Sequence, residues 1–191
     1  MESLTRGTLV WTGEHWINAL RVPGAAEDSG KVSLYCAHHT PAGRGHVASV
    51  EIGADSGIGA LCTDNPELTS FINETMWSNE CALPVVEASF QREGNIGVEP
   101  VWLITTAEYR IRASWSQIAV PYVRPPTINP TIIFTILFFA AAGSLSLNDT
   151  PVAGEPYARD AWAKNLRRPH SSCCFALAET MINELPGEND V

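Results

Sequence analysis

Residues 31–53 read KVSLYCAHHTPAGRGHVASVEIG, two runs of alternating side chains around a turn. An apolar residue every second position is typical of a strand that buries one face in an antiparallel sheet. Proline and glycines between the runs predict the turn, at residues 40–45. The stretch therefore predicts two antiparallel strands whose shared apolar face carries Val32, Leu34, Cys36, Ala48, Val50 and Ile52.

The apolar faces also predict a register for these two strands. All six apolar side chains point inward if Val32 lies opposite Ile52, Leu34 opposite Val50 and Cys36 opposite Ala48. The same register sets His38 opposite His46, at the rim of the apolar interior and beside a glycine-containing loop.

This pair of histidines is the predicted catalytic site. Two imidazoles at the mouth of an apolar cavity can transfer protons near neutral pH, or hold a metal together with one carboxylate. The nearest carboxylates in sequence are Asp64 and Glu51, of which Glu51 points to the opposite face in this register. Metal binding by His38 and His46 stays open, and no cofactor is predicted. The alternative is that both are structural histidines bonded to backbone or water.

Similar alternation recurs along much of the chain. Residues 8–12 and 16–22 are predicted to form one hairpin that turns near Gly13 and Glu14, and residues 84–92 and 101–118 continue the strands, with a break near Thr106 and Ala107. We expect one mainly β domain spanning residues 1–191. Its predicted architecture is an antiparallel barrel or strongly curved sheet with one or two helices, and a calycin-like barrel is one form that meets this description.

One helix is predicted over residues 66–78. Asp64 or Asn65 can cap it, Pro66 suits the first helical position, and Glu67 favours the positive end of the helix dipole. Apolar residues then recur at helical spacing, namely Leu68, Phe71, Ile72 and Met76.

Two further segments are compatible with either helix or strand. Residues 131–142 are the most apolar run, bracketed by helix-type signals but rich in Ile, Phe and Thr, which favour strands. We expect a central element buried on both sides, because the run is shorter than the roughly 20 residues that span a bilayer. Residues 171–185 are either a packing helix or a closing strand.

A glycine loop follows the second strand. Residues 47–52 lead into GADSGIG at residues 53–59, which resembles the phosphate loop of short-chain dehydrogenases and would imply a dinucleotide at that loop. That family also needs a Tyr-x-x-x-Lys pair. Asp160 stands four residues before Lys164 and Glu27 four before Lys31, so the pair is absent and we assign the chain to no family.

The amino-acid composition limits which classes of partner and which cellular compartment we expect. The net charge of −9 argues against nucleic acid and against an anionic membrane surface as partners. Five cysteines with no C-x-x-C spacing predict buried free thiols in a reducing compartment, and residues 1–13 lack a secretory pattern. We therefore expect a cytoplasmic protein. Six tryptophans fit a packed core, a lined ligand cavity or an interface.

Three functions are compatible with these patterns. The first is an enzyme that binds an apolar small molecule in the barrel and transfers protons, as lyases, isomerases and cyclases do, with His38 and His46 as acid and base. The second is a carrier or sensor that uses the same cavity without chemistry. The third is an interaction subunit of a hetero- or homo-oligomer, in which tryptophans and the 131–142 segment bury against a partner.

Overall fold

The computed structural model describes residues 7–53, 57–77, 82–127, 131–160, 166–167 and 169–184. Within them, one helix accompanies fourteen strands, and the fold is mainly β, as the sequence predicts. In chain order the elements are β1 Gly7–Leu20, β2 Gly30–His39, β3 Gly45–Ile52, β4 Ile58–Thr63, α1 Pro66–Thr75, β5 Val85–Glu87, β6 Ser89–Asn95, β7 Glu99–Thr105, β8 Arg110–Ile118, β9 Tyr122–Thr127, β10 Thr131–Leu147, β11 Thr150–Pro151, β12 Ala158–Arg159, β13 His170–Ser171 and β14 Cys174–Glu184.

Twelve of the described strands form a single, strongly curled sheet. Ten of them follow the order β5-β4-β3-β2-β1-β14-β10-β8-β7-β6, while β9 and β11 pair with β10. The two ends of this order, β5 and β6, are consecutive in the chain and separated only by Ala88. The sheet therefore curls until its ends meet at that residue, which confirms the predicted curved, barrel-like architecture.

Both ambiguous segments are strands. β10 pairs with β8, β9 and β14, so the 131–142 segment is central, as expected. The expectation that both of its faces are buried is wrong, because the side chains of Phe134 and Ile136 are 41% and 36% exposed. The described part of residues 171–185 lies mostly in β14, which joins β1 to β10. No helix among the described residues is long and apolar enough to cross a membrane.

The predicted first hairpin is wrong. Residues 7–20 form one continuous strand, β1, with shifts of register on either side of Gly13 where a turn was expected. A Cβ atom at Gly13 would lie 2.2 Å from the carbonyl oxygen of Cys36. Gly13 thus permits close approach of two strands at an irregularity, a second common use of glycine within sheets.

The predicted register of β2 and β3 is also wrong, by two residues. Val32 lies opposite Val50, Leu34 opposite Ala48, and Cys36 opposite His46. A two-residue shift preserves which side chains face inward. It also sets Lys31 opposite Glu51, whose side chains form an ion pair at 3.7 Å. Such opposite-charge pairs contribute to cross-strand pairing.

The glycine loop joins two antiparallel strands. β3 pairs with β4 from Val47 opposite Thr63 to Ile52 opposite Ile58, so the segment around Gly53 reverses the chain inside the sheet. A phosphate loop instead leads from a strand directly into a helix. The dinucleotide interpretation is therefore wrong on topology, in addition to the absent Tyr-x-x-x-Lys pair.

α1 confirms the predicted helix, although it ends at Thr75 and residue 78 lies outside the described residues. Asn65 is its N-cap, and its side chain accepts bonds from the backbone N–H groups of Glu67 and Leu68. The helix packs on the outer face of the sheet, where Leu68 and Ile72 join a cluster with Trp11, Tyr35 and Val47. This packing brings residues 64 and 65 beside the start of β3.

Aromatic rings fill much of the sheet's concave side. Trp16 is fully buried, with its ring centroid 4.2 Å from Phe175, 5.2 Å from Trp115 and 6.0 Å from Trp102. Aromatic side chains of this size dominate core energetics, because each removes about 150–250 Å² from water. Most of the described tryptophans are therefore core residues, and open space is found at the rim.

Candidate functional site

A cleft of about 640 Å³ opens at the rim of the curled sheet. Both predicted catalytic residues, His38 and His46, line it, although they are not directly opposite each other. The other charged and aromatic side chains that line the cleft are Glu14, Arg44, Asp64, Phe90, Arg92 and Trp102. The cleft is thus a mixed polar and aromatic site beside the packed interior.

Asp64 contacts His46 through both of its carboxylate oxygens. One carboxylate oxygen, Oδ1, accepts the backbone N–H of His46, and the other, Oδ2, lies against Nδ1 of its imidazole, both at 2.6 Å. A carboxylate beside Nδ1 selects the tautomer that carries its proton there. In the neutral ring, Nε2 is then a bare acceptor, and it has no hydrogen-bond partner among the described residues.

The segment that carries Asp64 is fixed to the strand that carries His46. The Thr63 hydroxyl shares its single proton between the carbonyls of His46 and Asn65, which lie 2.8 and 2.9 Å from its oxygen. The Asn65 amide donates to the carbonyls of Ala42 and Arg44, at 3.2 and 2.9 Å. Asn65 therefore holds the β2–β3 loop with one end of its side chain and caps α1 with the other.

Aromatic rings support the imidazole of His46. Phe90 stacks on it at 4.9 Å with an interplanar angle of 16°, and Trp102 meets it edge-on at 5.6 Å. The guanidinium of Arg92 lies 5.7 Å from the Trp102 ring. Phe90 and Arg92 are two residues apart on β6, and Arg92 pairs with Trp102 of β7. Neighbouring positions of β6 and β7 thus supply Phe90, Arg92 and Trp102, which form the aromatic wall of the cleft.

Glu14 is an almost buried carboxylate inside the cleft, with 11% of its side chain exposed. Arg92 Nη1 donates to both of its oxygens at 3.0 and 2.9 Å, and the Trp16 indole N–H donates to Oε2 at 2.9 Å. Buried charge is costly unless it is paired and hydrogen-bonded. These contacts meet that condition and fix the Arg92 side chain.

His38 stands on the same side of the cleft as Glu14. Its Nε2 atom lies 3.7 Å from Oε1 of Glu14, longer than a hydrogen bond, and its side chain is 54% exposed. His38 is therefore accessible to a ligand, while His46 is held in place. Each predicted histidine has a carboxylate neighbour, Glu14 for His38 and Asp64 for His46.

The thiol of Cys36 also borders the cleft, directly across the strand pair from His46. Burial raises its pKa well above the ordinary value, and the nearby charges of Glu14 and Asp64 add to this. Only the thiolate is an effective nucleophile. Burial also raises the pKa of Cys62 to about 11, so neither thiol is activated for attack.

The alternative role of the histidines is metal binding. Among the described residues, no three or more His, Cys, Asp or Glu side chains come together in a way that could hold a metal ion. Of the two carboxylates nearest in sequence, Asp64 reaches His46 and Glu51 does not. Glu51 lies on the exposed face and pairs with Lys31, as its parity predicts.

Several residues of the cleft were not predicted from the sequence. Glu14 was assigned to a turn, yet it shares the inward parity of Trp16 on a continuous β1. A charged residue at an inward position of a long strand is the signal that could have identified it. Arg44, Phe90, Arg92 and Trp102 carried no such local signal, because their proximity to the histidines depends on how the sheet curls.

Comparison with known proteins adds no assignment: no protein-family model, curated protein or solved structure matches this chain.

Proposed function

We propose that the protein is an enzyme that transfers protons on a small molecule bound in the rim cleft. The observation that carries this proposal is that Asp64 contacts both the backbone N–H and the imidazole Nδ1 of His46. Nε2 of the imidazole is left without a partner among the described residues. A base oriented by a third group is the arrangement that general acid–base catalysis requires.

In the proposed reaction His46 Nε2 accepts a proton from the substrate, and Asp64 stabilises the imidazolium that forms. His38, in its protonated form, donates a proton to the substrate or its leaving group from the side of the cleft that holds Glu14. Two proton-transfer groups in one cleft without an activated nucleophile suit a lyase, an isomerase or a cyclase. Phe90 and Trp102 accommodate the apolar part of the substrate.

The proposal includes a cytoplasmic, biosynthetic setting. The cytoplasmic part rests on the state of the thiols, because Cys36, Cys62, Cys173 and Cys174 are buried and free. Free buried cysteines are common where the surroundings are reducing.

The test is exchange of carbon-bound hydrogen for deuterium. Small carbonyl compounds with an aromatic or conjugated part are incubated with the protein in D₂O and followed by proton NMR. We expect the wild type to exchange protons next to the carbonyl in at least one compound, and His46→Asn to lose roughly 10²–10⁴-fold of that rate. His39→Asn is the matched control, because His39 is exposed and does not line the cleft. A wild type without exchange, or a fully active His46→Asn variant, contradicts the proposal.

A carrier or sensor that uses the same cleft is the second candidate. The aromatic wall of Phe90 and Trp102 would suit ligand binding alone. Ligand binding without exchange, unchanged in His46→Asn, would favour it.

The third candidate is an interaction subunit, and the exposed apolar side chains of β9, β10 and the preceding loop favour it. Val120 and Val123 are 88% and 68% exposed, and Phe134 is 41% exposed. A concentration-dependent dimer that Val123→Ser abolishes would support this candidate, and a stable monomer would remove it.

A further inference from the structure

We infer that the ligand of the rim cleft is an organic anion, a small carboxylic acid with an aromatic or conjugated body. This inference rests on the proposed function, because it names the substrate class of the same site. It is carried by the balance of donors and acceptors among the charged side chains that line the cleft.

Every oxygen of the two cleft carboxylates already contacts a group of the protein. Both oxygens of Glu14 accept from Arg92, and one also accepts from Trp16. Both oxygens of Asp64 contact His46. The negative charge of each carboxylate is therefore already directed at a partner within the protein, which leaves less of it to attract a cationic ligand.

Several guanidinium donors of the cleft, in contrast, are not engaged by any described residue. Arg92 uses only Nη1 toward Glu14, so Nη2 and Nε have no hydrogen-bond partner in the described part of the chain. The Arg44 guanidinium forms no ion pair with any described residue, although Asn65 holds its backbone carbonyl at 2.9 Å. Guanidinium groups bind carboxylates through paired, charge-assisted hydrogen bonds.

Position distinguishes this cleft from the rest of the surface. The chain carries a net charge of −9, which repels anions in general. The cleft differs from this average, because Arg44 and Arg92 balance the charges of Glu14 and Asp64 there, and two histidines stand beside them. Beside them, Phe90 and Trp102 supply an apolar wall, so one ligand can place its acid group on the arginines and its ring on the aromatic side chains.

Cinnamate is a suitable probe, since a ring and a carboxylate share one plane, and cinnamamide is its uncharged match. NMR titration of the full chain should show cinnamate binding roughly tenfold more tightly than cinnamamide, since charge-assisted bonds exceed neutral ones by such a factor. Arg44→Gln should remove most of the preference for cinnamate, since only the Arg92 guanidinium would remain for the carboxylate. Arg110→Gln is the control and should leave cinnamate binding unchanged. Arg110 is exposed, next to the buried Ile111 on β8, and does not line the cleft.

Equal affinities for the two probes, no saturable binding of cinnamate, or unchanged binding in Arg44→Gln would each overturn the inference. The deuterium-exchange assay separates this result from the proposed function. Preference for the anion without exchange would overturn the enzyme proposal alone. Exchange without preference for the anion would overturn the ligand class alone.

Discussion

Asp64 binds His46 through both of its carboxylate oxygens, one on the backbone N–H and one on the imidazole Nδ1, each at 2.6 Å. One residue therefore fixes both the position of the strand end and the orientation of the ring. Because Asp64 directly precedes the N-cap of α1, the packing of a helix on the outer face is linked to the geometry of the cleft.

The substitution Asp64→Asn tests that link. The amide side chain would keep one oxygen acceptor and present an NH₂ group in place of the other. If the NH₂ group faces the imidazole, Nδ1 of His46 loses its acceptor and must itself accept a hydrogen bond. We expect the exchange rate to fall roughly 10²–10⁴-fold and the free energy of unfolding to fall by about 1 kcal/mol. Urea denaturation and the exchange assay measure the two effects. Glu74→Gln, on the exposed side of α1, should change neither.

The substitution Glu14→Gln tests the buried ion pair. Glutamine retains an oxygen for the Trp16 indole but removes the charge that faces Arg92. We expect the free energy of unfolding to fall by about 1–3 kcal/mol. The exposed Glu99, which lies 3.9 Å from Arg112, is the matched control, and Glu99→Gln should cost less than about 1 kcal/mol. Equal losses from the two substitutions would show that Glu14 is not a buried partner.

Alternation along the chain was sufficient to predict the mainly β, curved architecture and the presence of His38 and His46 on one face, and capping signals with helical spacing predicted the helix near residue 66. These features depend on local periodicity and on cap and turn chemistry. The long strand β1 was missed for a local reason too. Gly13 beside Glu14 resembles a turn, whereas the structure uses the glycine to bring β1 close to β2.

The rest of the cleft could not be predicted, because it forms between strands distant in sequence. Glu14 and Arg92 are 78 positions apart and meet only when the sheet curls. The register of β2 and β3 failed for a related reason: apolar parity allows shifts by two residues, and only the Lys31–Glu51 pair and the neighbouring strands decide among them.

Gly45 supplies a test of the loop that precedes His46. Its φ is +147°, and a Cβ atom there would lie 2.6 Å from Oδ1 of Asp64 and 2.9 Å from Cβ of Asn65. Gly45→Ala should therefore displace Asp64, with a loss of about 1–3 kcal/mol in stability and of the exchange activity. Gly43→Ala is matched, since Gly43 also has a positive φ but its nearest atom is 3.5 Å away. It should retain exchange, and loss of activity in both variants would contradict the account.

The buried His15 should make the free energy of unfolding depend on pH. Burial, and then the charge of Arg159, lower its pKa from 6.5 to about 3, and its ring lies against Ser33 and stacks on Tyr35. The folded protein thus keeps His15 neutral, while the unfolded chain takes up a proton below about pH 6.5. Its contribution to stability is complete above pH 6.5 and is lost as the pH falls toward 3.

The expected slope from His15 is at most about 1.4 kcal/mol per pH unit over that window. Urea denaturation at several pH values should show a shallower dependence in His15→Gln than in the wild type. Carboxylates contribute equally to both proteins, so the difference isolates His15. Identical slopes would mean that His15 titrates normally in the folded state.

The tautomer of His46 is the most direct test of the central claim, that Asp64 prepares Nε2 as a base. Nitrogen-15 NMR of the imidazole at a pH where the ring is neutral distinguishes the two tautomers. The structure predicts a proton on Nδ1 in the wild type and loss of that preference in Asp64→Asn. A wild-type proton on Nε2 would mean that the only free nitrogen of His46 is a donor, and would contradict the account.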